Sequence, residues 1–272
     1  MKKTLIYLLS LIFLIYIGIS FTFYIKPELF IYHPNPIHPN IESAQKQIPD
    51  LKEVKYQTIA GQEVYAWYAK PANATKTVLF MHGNSYNIGA FINRIKPFYH
   101  AGYAVIMPEY TGFGGRSGTP TQTQIEQDIA ATISFLNQQN IQNKDIILYG
   151  YSLGTYLAVY AASDLNNGHP FNAVILESPF TSLANTASWS VYHLFPIHFL
   201  LKDHYNSLAK IQKINTRLFI GHGTNDRTVP YFMGEKLFNT ANHPKTFFRV
   251  IGGTHQNLPE YGFLNQVLEW LK

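Results

Sequence analysis

The 272-residue chain contains no cysteine. That excludes disulfides, a thiolate nucleophile, thiolate metal sites and lipid attachment at cysteine, and it leaves the redox compartment open. Charge is also scarce, at 14% of residues against 46% hydrophobic, so disorder is not expected and a sizeable core can be buried. No run of Lys or Arg exceeds Lys2-Lys3, and no arginine-rich strip with interleaved aromatics occurs. Nucleic-acid binding is therefore not expected, although the formal charge of +5 would suit an anionic lipid surface. The histidines at 193, 198 and 204 lack H-E-x-x-H or a close pairing, so they read as cap or surface residues and no metal or other cofactor is expected. No repeat or low-complexity tract is visible.

What is present begins with Leu5 to Ile25, uncharged and mostly apolar, between Lys2-Lys3 and Lys26. At about 1.5 Å per residue it can cross a bilayer as a helix. Gly18-Ile19-Ser20 would serve as a signal-cleavage site, giving an exported protein. The apolar run continues past it through Phe21, Phe23, Tyr24 and Ile25, which favours an uncleaved single-pass anchor at 1–26. Two lysines before the span against one after it point to a cytoplasmic N-terminus, with the rest of the chain on the non-cytoplasmic side. Prolines at 34, 36, 39 and 49 make 27–50 an extended tether, with 51–272 the remaining domain.

Within that domain, Lys55 to Ala60 and Glu63 to Lys70 alternate as a hairpin. Buried-strand runs follow at Thr77–Met81, Tyr103–Met107, Asp145–Tyr149, Ala173–Glu177, Arg217–Ile220 and Thr246–Ile251. Helical spacing marks Ile125–Gln138, Thr155–Ser163 and about Leu258–Leu271. The alternation predicts an α/β fold: a mostly parallel, eight-stranded sheet flanked by helices and preceded by one transmembrane helix. The aromatic-rich stretch at about 181–210 reads as a short cap shaping an apolar pocket.

Functional residues of such a sheet gather beyond the carboxyl ends of its strands. Gly150-Tyr151-Ser152-Leu153-Gly154 has a serine between a strand and a helix, framed by glycines where the chain passes too close for a side chain. Asp226 and His255 follow the last two strands, in the order Ser, Asp, His. Ser152 needs a base to take its proton, His255 can act as one, and Asp226 would orient the imidazole and stabilise its cation. Leu153 and Asn84 would supply backbone N–H groups to a tetrahedral oxyanion. Plainer readings stand beside these. Asp226 could be an Asx-turn residue, His255 a surface histidine and Glu177 the rival acid. His82 reads as a loop stabiliser, and Glu126 and Asp128 as a solvated helix face.

The words Phe80-Met81-His82-Gly83-Asn84, Tyr149 to Gly154, Glu177-Ser178-Pro179-Phe180-Thr181-Ser182-Leu183, Gly221 to Pro230 and Gly253-Thr254-His255 together resemble the α/β-hydrolase superfamily. The likeness is greatest to its membrane-anchored group of Bem46-like proteins and the α/β-hydrolase-domain proteins of types 13 and 17. Departures are Glu109-Tyr110-Thr111-Gly112 for Asp-Tyr-Arg-Gly, Thr155 for a second glycine, and Gln256-Asn257 for Asn-Asp. The resemblance implies the α/β-hydrolase fold, with Ser152, Asp226 and His255 as a triad. The expected reaction is cleavage of a carboxylic ester, thioester or lipid-like substrate without a cofactor. The alternatives are an aminopeptidase-like hydrolase of the same fold, for which only Glu109 and Glu177 could grip a peptide amine, and a silent membrane-attached scaffold.

Overall fold

The computed structural model describes residues 2–272. Helix α1 (Lys2–Ile25) leads into an eight-stranded sheet built from β1 (Lys52–Gln57), β2 (Glu63–Ala69), β3 (Thr77–Met81), β4 (Ala104–Pro108), β5 (Ile146–Tyr151), β6 (Ala173–Glu177), β7 (Leu218–Gly223) and β8 (Lys245–Val250). The spatial order is β8-β7-β6-β5-β3-β4-β2-β1. β2 runs antiparallel to β1 and β4, and the other neighbours are parallel.

β3, β4, β5 and β6 are buried at every position, which is why they read as unbroken apolar runs rather than as alternation. Each Val, Leu or Ile side chain so buried contributes about 1.5–3 kcal/mol relative to exposure. Helices cover both faces: α2 (Ile92–His100), α3 (Gln122–Gln138), α4 (Leu153–Asp164), α5 (Tyr231–Thr240) and α6 (Phe263–Leu271). α3 begins where Thr121 Oγ accepts from Gln124 N–H and turns Ile125, Ile129, Thr132 and Leu136 inward. α4, following β5, is buried nearly all round, so it carries no amphipathic stripe.

Two expectations need correction. Residues 27–50 do not run as a free tether. Glu28–Ile31 and Ile41–Gln45 are short helices, and His33–Pro34 forms a parallel ladder with Ser85–Tyr86. Ile31, Tyr32, Ala44 and Ile48 are buried in the domain, because their apolar surface gains more against the sheet than in water. The Tyr32 hydroxyl lies 2.6 Å from that of Tyr205 and donates to Asp203 at 2.7 Å. The expected solvated face at Glu126 and Asp128 is also not one. Asp128 is fully buried and accepts from Thr111 N–H at 2.7 Å, its hydroxyl at 2.9 Å and Arg116 at 2.9 Å. Glu126 accepts from the Tyr156 hydroxyl at 2.6 Å.

Candidate active site

The end of β5 turns into α4 at Ser152, whose φ of +52° and ψ of −117° lie where L-residues are strained. The flanking glycines make this turn possible. A Cβ on Gly150 would strike the Gly154 carbonyl, and one on Gly154 would strike the Met81 carbonyl of the neighbouring strand. Thr155 donates its N–H and its hydroxyl to the Ser152 carbonyl at 2.9 and 2.6 Å and pins the elbow from behind.

The structure brings Ser152, His255 and Asp226 into one hydrogen-bonded line. Ser152 Oγ is 2.8 Å from His255 Nε2, and His255 Nδ1 is 2.7 Å from Asp226 Oδ2. His255 and Asp226 are each 8% exposed. Their loops are sewn together: Asn225 N–H donates to the Gly253 carbonyl at 2.9 Å and Gly252 N–H to Thr224 Oγ1 at 2.9 Å. Asp226 also makes the Asx turn weighed above, because Oδ1 accepts from Thr228 N–H at 2.9 Å and Val229 N–H at 2.8 Å while Oδ2 faces the imidazole. Burial alone would raise its carboxyl, but hydrogen bonds to His222 and His255, with the His255 charge and Val229 N–H, hold it well below the ordinary carboxylate range.

Leu153 N–H opens α4, so its own helix offers it no acceptor. Asn84 follows β3, and an added Cβ on its neighbour Gly83 would lie 3.5 Å from Ser152 Cβ, which places this loop beside the serine. The Asn84 carbonyl accepts from His33 N–H at 2.8 Å, and its side chain donates to the Ile31 carbonyl at 2.6 Å. Among the described residues, neither the Asn84 nor the Leu153 backbone N–H donates to a protein acceptor. Both remain available to a ligand oxygen. His82 stays out of this line, as expected. Its ring stacks on Tyr110 at 3.8 Å, Nδ1 meets the Gly83 carbonyl, and Nε2 lies 3.1 Å from Glu109 without the alignment of a hydrogen bond.

Glu177, the rival acid, is fully buried and faces elsewhere. Arg94 grips it with two bonds at 3.1 and 3.2 Å, and the Tyr149 hydroxyl donates to the same carboxylate. Arg94 lies over the Tyr151 ring at 3.9 Å and reaches the Gln256 carbonyl at 3.0 Å, bracing the His255 loop. Sequence reasoning missed Arg94, which carries no local signal. It also missed His222, fully buried with Nε2 3.3 Å from Asp226 Oδ2 and 3.0 Å from the Val229 carbonyl. Both partners of that nitrogen are acceptors, so it carries the proton. Among the described residues no cluster of His, Asp and Glu is arranged to hold a metal ion.

The cap is present as short helical turns at Leu183–Ala187, Val191–Leu194 and Ile197–Leu200. A cavity of about 220 Å³ lies between it and α5, with Trp189 and Phe232 among its lining, but Ser152 is not part of that lining. The apolar pocket expected over the serine therefore gains no support from this cavity.

The chain is similar to known proteins in sequence and in fold. The sequence model of the family described as serine aminopeptidase, S33, matches residues 72–207. The chain belongs to the α/β hydrolases. It is 32% identical over 206 residues to α/β hydrolase domain-containing protein 17B of Homo sapiens, covering 74% of this chain and 66% of that one. It is 30% identical to an uncharacterised membrane protein of Saccharomyces cerevisiae, over 89% of this chain and 90% of the relative. An esterase of Pyrococcus furiosus superposes with a TM-score of 0.73 at 18% identity, covering 89% of this chain and 97% of that one, a likeness of fold. Helix α1 is long and apolar enough to cross a membrane, and the yeast relative agrees with membrane association.

Proposed function

We propose that the protein is a membrane-anchored serine hydrolase that cleaves carboxylic esters or thioesters through an acyl-enzyme on Ser152. The observation that carries this reading is the hydrogen-bonded line from Ser152 through His255 to Asp226 at a strained elbow. Neutral His255 takes the Ser152 proton at Nε2 as Oγ attacks the substrate carbonyl. Asp226 holds the Nδ1 proton and stabilises the imidazolium that forms. The tetrahedral oxyanion lies against Leu153 and Asn84 N–H, with the positive end of the α4 dipole behind it. Collapse expels the alcohol or thiol, which takes the proton from Nε2. His255 then deprotonates water, which attacks the acyl carbonyl, releases the acid and returns the proton to Ser152.

The family's description names an aminopeptidase, which would need free carboxylates to bind a peptide amine. Glu109 and Glu177 are both fully buried, the first accepting from Ile88 N–H at 2.9 Å and the second gripped by Arg94. That commitment favours esters and thioesters over peptides. Lys2 and Lys3 at the start of α1, against Lys26 after its end, favour a catalytic domain on the non-cytoplasmic side.

The test offers p-nitrophenyl acyl esters, an acyl thioester and an aminoacyl anilide to the detergent-solubilised full chain, and records intact mass during turnover. An acyl adduct on the wild type, absent from Ser152→Ala, with ester or thioester turnover exceeding anilide turnover, is expected. Turnover that survives Ser152→Ala, or a preference for the anilide, would overturn the reading.

A further inference from the structure

From Ser178 to Leu201 the chain has no Asp, Glu, Lys or Arg, and this stretch holds the three helical turns of the cap. Trp189, Val191, Leu194 and Phe199 are 67%, 72%, 66% and 87% exposed, an unusual concentration of solvent-facing apolar side chains, of which Trp189 also meets the Phe232 ring at 5.0 Å. Their neighbours in sequence pack on α1. Tyr192 meets Phe23 edge-on at 5.2 Å, and Phe195 stacks on Tyr16 at 5.0 Å. Lys202, the first charge after the stretch, lies 5.0 Å from the Tyr24 ring, where α1 is about to end.

Those contacts set a depth. Tyr16 lies nine residues before the end of α1 at Ile25, roughly 14 Å along its axis at 1.5 Å per residue. A segment that touches α1 from Tyr24 to Tyr16 therefore accompanies it over about half of a ~30 Å hydrocarbon core. Lipid tolerates such a segment only if its backbone is satisfied from within. Here much of it is: Trp189 N–H donates to the Thr186 carbonyl, Phe195 to Tyr192, Phe199 and Leu200 to Pro196, and Leu201 to Ile197, and Ser190 Oγ accepts from Tyr192 N–H. The polar end of the arrangement is Lys202 with Tyr24 and Lys26, the aromatic and basic pairing that suits a headgroup region.

We propose that the cap from Trp189 to Phe199 is a second membrane contact, inserted in the leaflet where α1 emerges, so that the site beside Ser152 opens toward lipid. The occupant of this apolar surface is bilayer lipid, because the surface is continuous with the exposed flank of a helix long and apolar enough to cross a membrane. The site is held close to that leaflet. Ile31, six residues beyond the end of α1, accepts from the Asn84 side chain at 2.6 Å, so the loop beside Ser152 is within roughly 20 Å of the membrane exit even along a fully extended chain. Taken with the proposed hydrolase reading, this makes membrane-resident amphiphiles with an ester or thioester near the headgroup the substrate class.

The absence of cysteine permits a clean test. Val191→Cys, Leu194→Cys and Phe199→Cys are each made in the full chain, spin-labelled and reconstituted in phosphatidylcholine vesicles containing phosphatidylglycerol. Asn73→Cys is the reference, in the exposed turn before β3 at the opposite end of the sheet. The three cap labels are expected to relax more with oxygen than with a water-soluble nickel chelate, and Asn73→Cys the reverse. Cap labels as open to nickel as the reference would overturn the proposal. Labels closed to both reagents and dipolar-broadened by a second copy would equally overturn it, by showing a protein interface. This readout needs no catalysis, so failure of the hydrolase reading leaves it standing. Faster turnover of vesicle-embedded than of micelle-free short esters would then support the substrate class, and equal turnover would count against it.

Discussion

Two adjacent strands, β6 and β7, deliver buried carboxylates, Glu177 as the last residue of β6 and Asp226 in the loop just after β7, and the two do opposite things. Glu177 is matched by the Arg94 guanidinium and the Tyr149 hydroxyl, so its charge is spent inside the fold. Asp226 is bracketed by two imidazoles, His222 and His255, and by two backbone N–H groups. A permanent cation neutralises a carboxylate for good, whereas an imidazole leaves it free to stabilise a proton that comes and goes. Burial and strand position alone would not have separated the two. Their partners do.

The most damaging change to the proposed chemistry is Asp226→Asn, which offers an amide where the imidazole needs an acceptor. Turnover is expected to fall about 10⁴-fold with the fold retained, read as initial ester-hydrolysis rates beside circular dichroism. A loss below tenfold would remove Asp226 from its proposed role. Glu177→Gln should invert that pattern. Leaving Arg94 without its counter-charge costs about 3–5 kcal/mol of stability, visible in denaturant titration, with a far smaller change in turnover of the folded enzyme. His222→Phe removes the Nε2–H that faces Asp226. A rate loss of about ten- to a hundredfold follows from one hydrogen bond to a charged group, and His222→Gln should recover part of it; equal loss in both would indicate packing alone.

The smallest effect is acid stability. The folded Asp226 carboxyl lies below its ordinary value, so its ionised form stabilises the native state above about pH 4. That contribution is lost as pH falls toward the lower, folded value. Between pH 5 and 3 the wild type should therefore lose more stability than Asp226→Asn, as measured by denaturation midpoints. Parallel curves would contradict this assignment.

Much of this was legible in the sequence, because short-range rules govern it. The central strands are buried on both faces and read as apolar runs, and the glycines around Ser152 are forced by contacts a Cβ cannot survive. Ser152, Asp226 and His255 each stand just past a strand, so topology alone suggested their meeting. What was not legible depends on partners distant in the chain. Asp128 looked like a surface residue until Thr111 and Arg116, from a glycine-rich loop, closed over it. Arg94 lies on α2, a helix whose Ile92, Ile95 and Phe98 stripe could have been found despite Pro97. Residues 27–50 read as a tether because of the prolines at 34, 36, 39 and 49, and Ile31, Tyr32, Ala44 and Ile48 follow no single period that would have signalled packing; each fits a different gap in the domain.

The central claim, that the partners of the strand-end carboxylate decide its role, is tested most directly by labelling with a fluorophosphonate probe. Wild type, Asp226→Asn, Glu177→Gln and Ser152→Ala are compared in lipid at a temperature where all are folded. The account predicts rapid labelling of wild type and Glu177→Gln, slow labelling of Asp226→Asn and none of Ser152→Ala. Wild-type labelling of Asp226→Asn beside a silent, folded Glu177→Gln would reverse the assignment of the two acids.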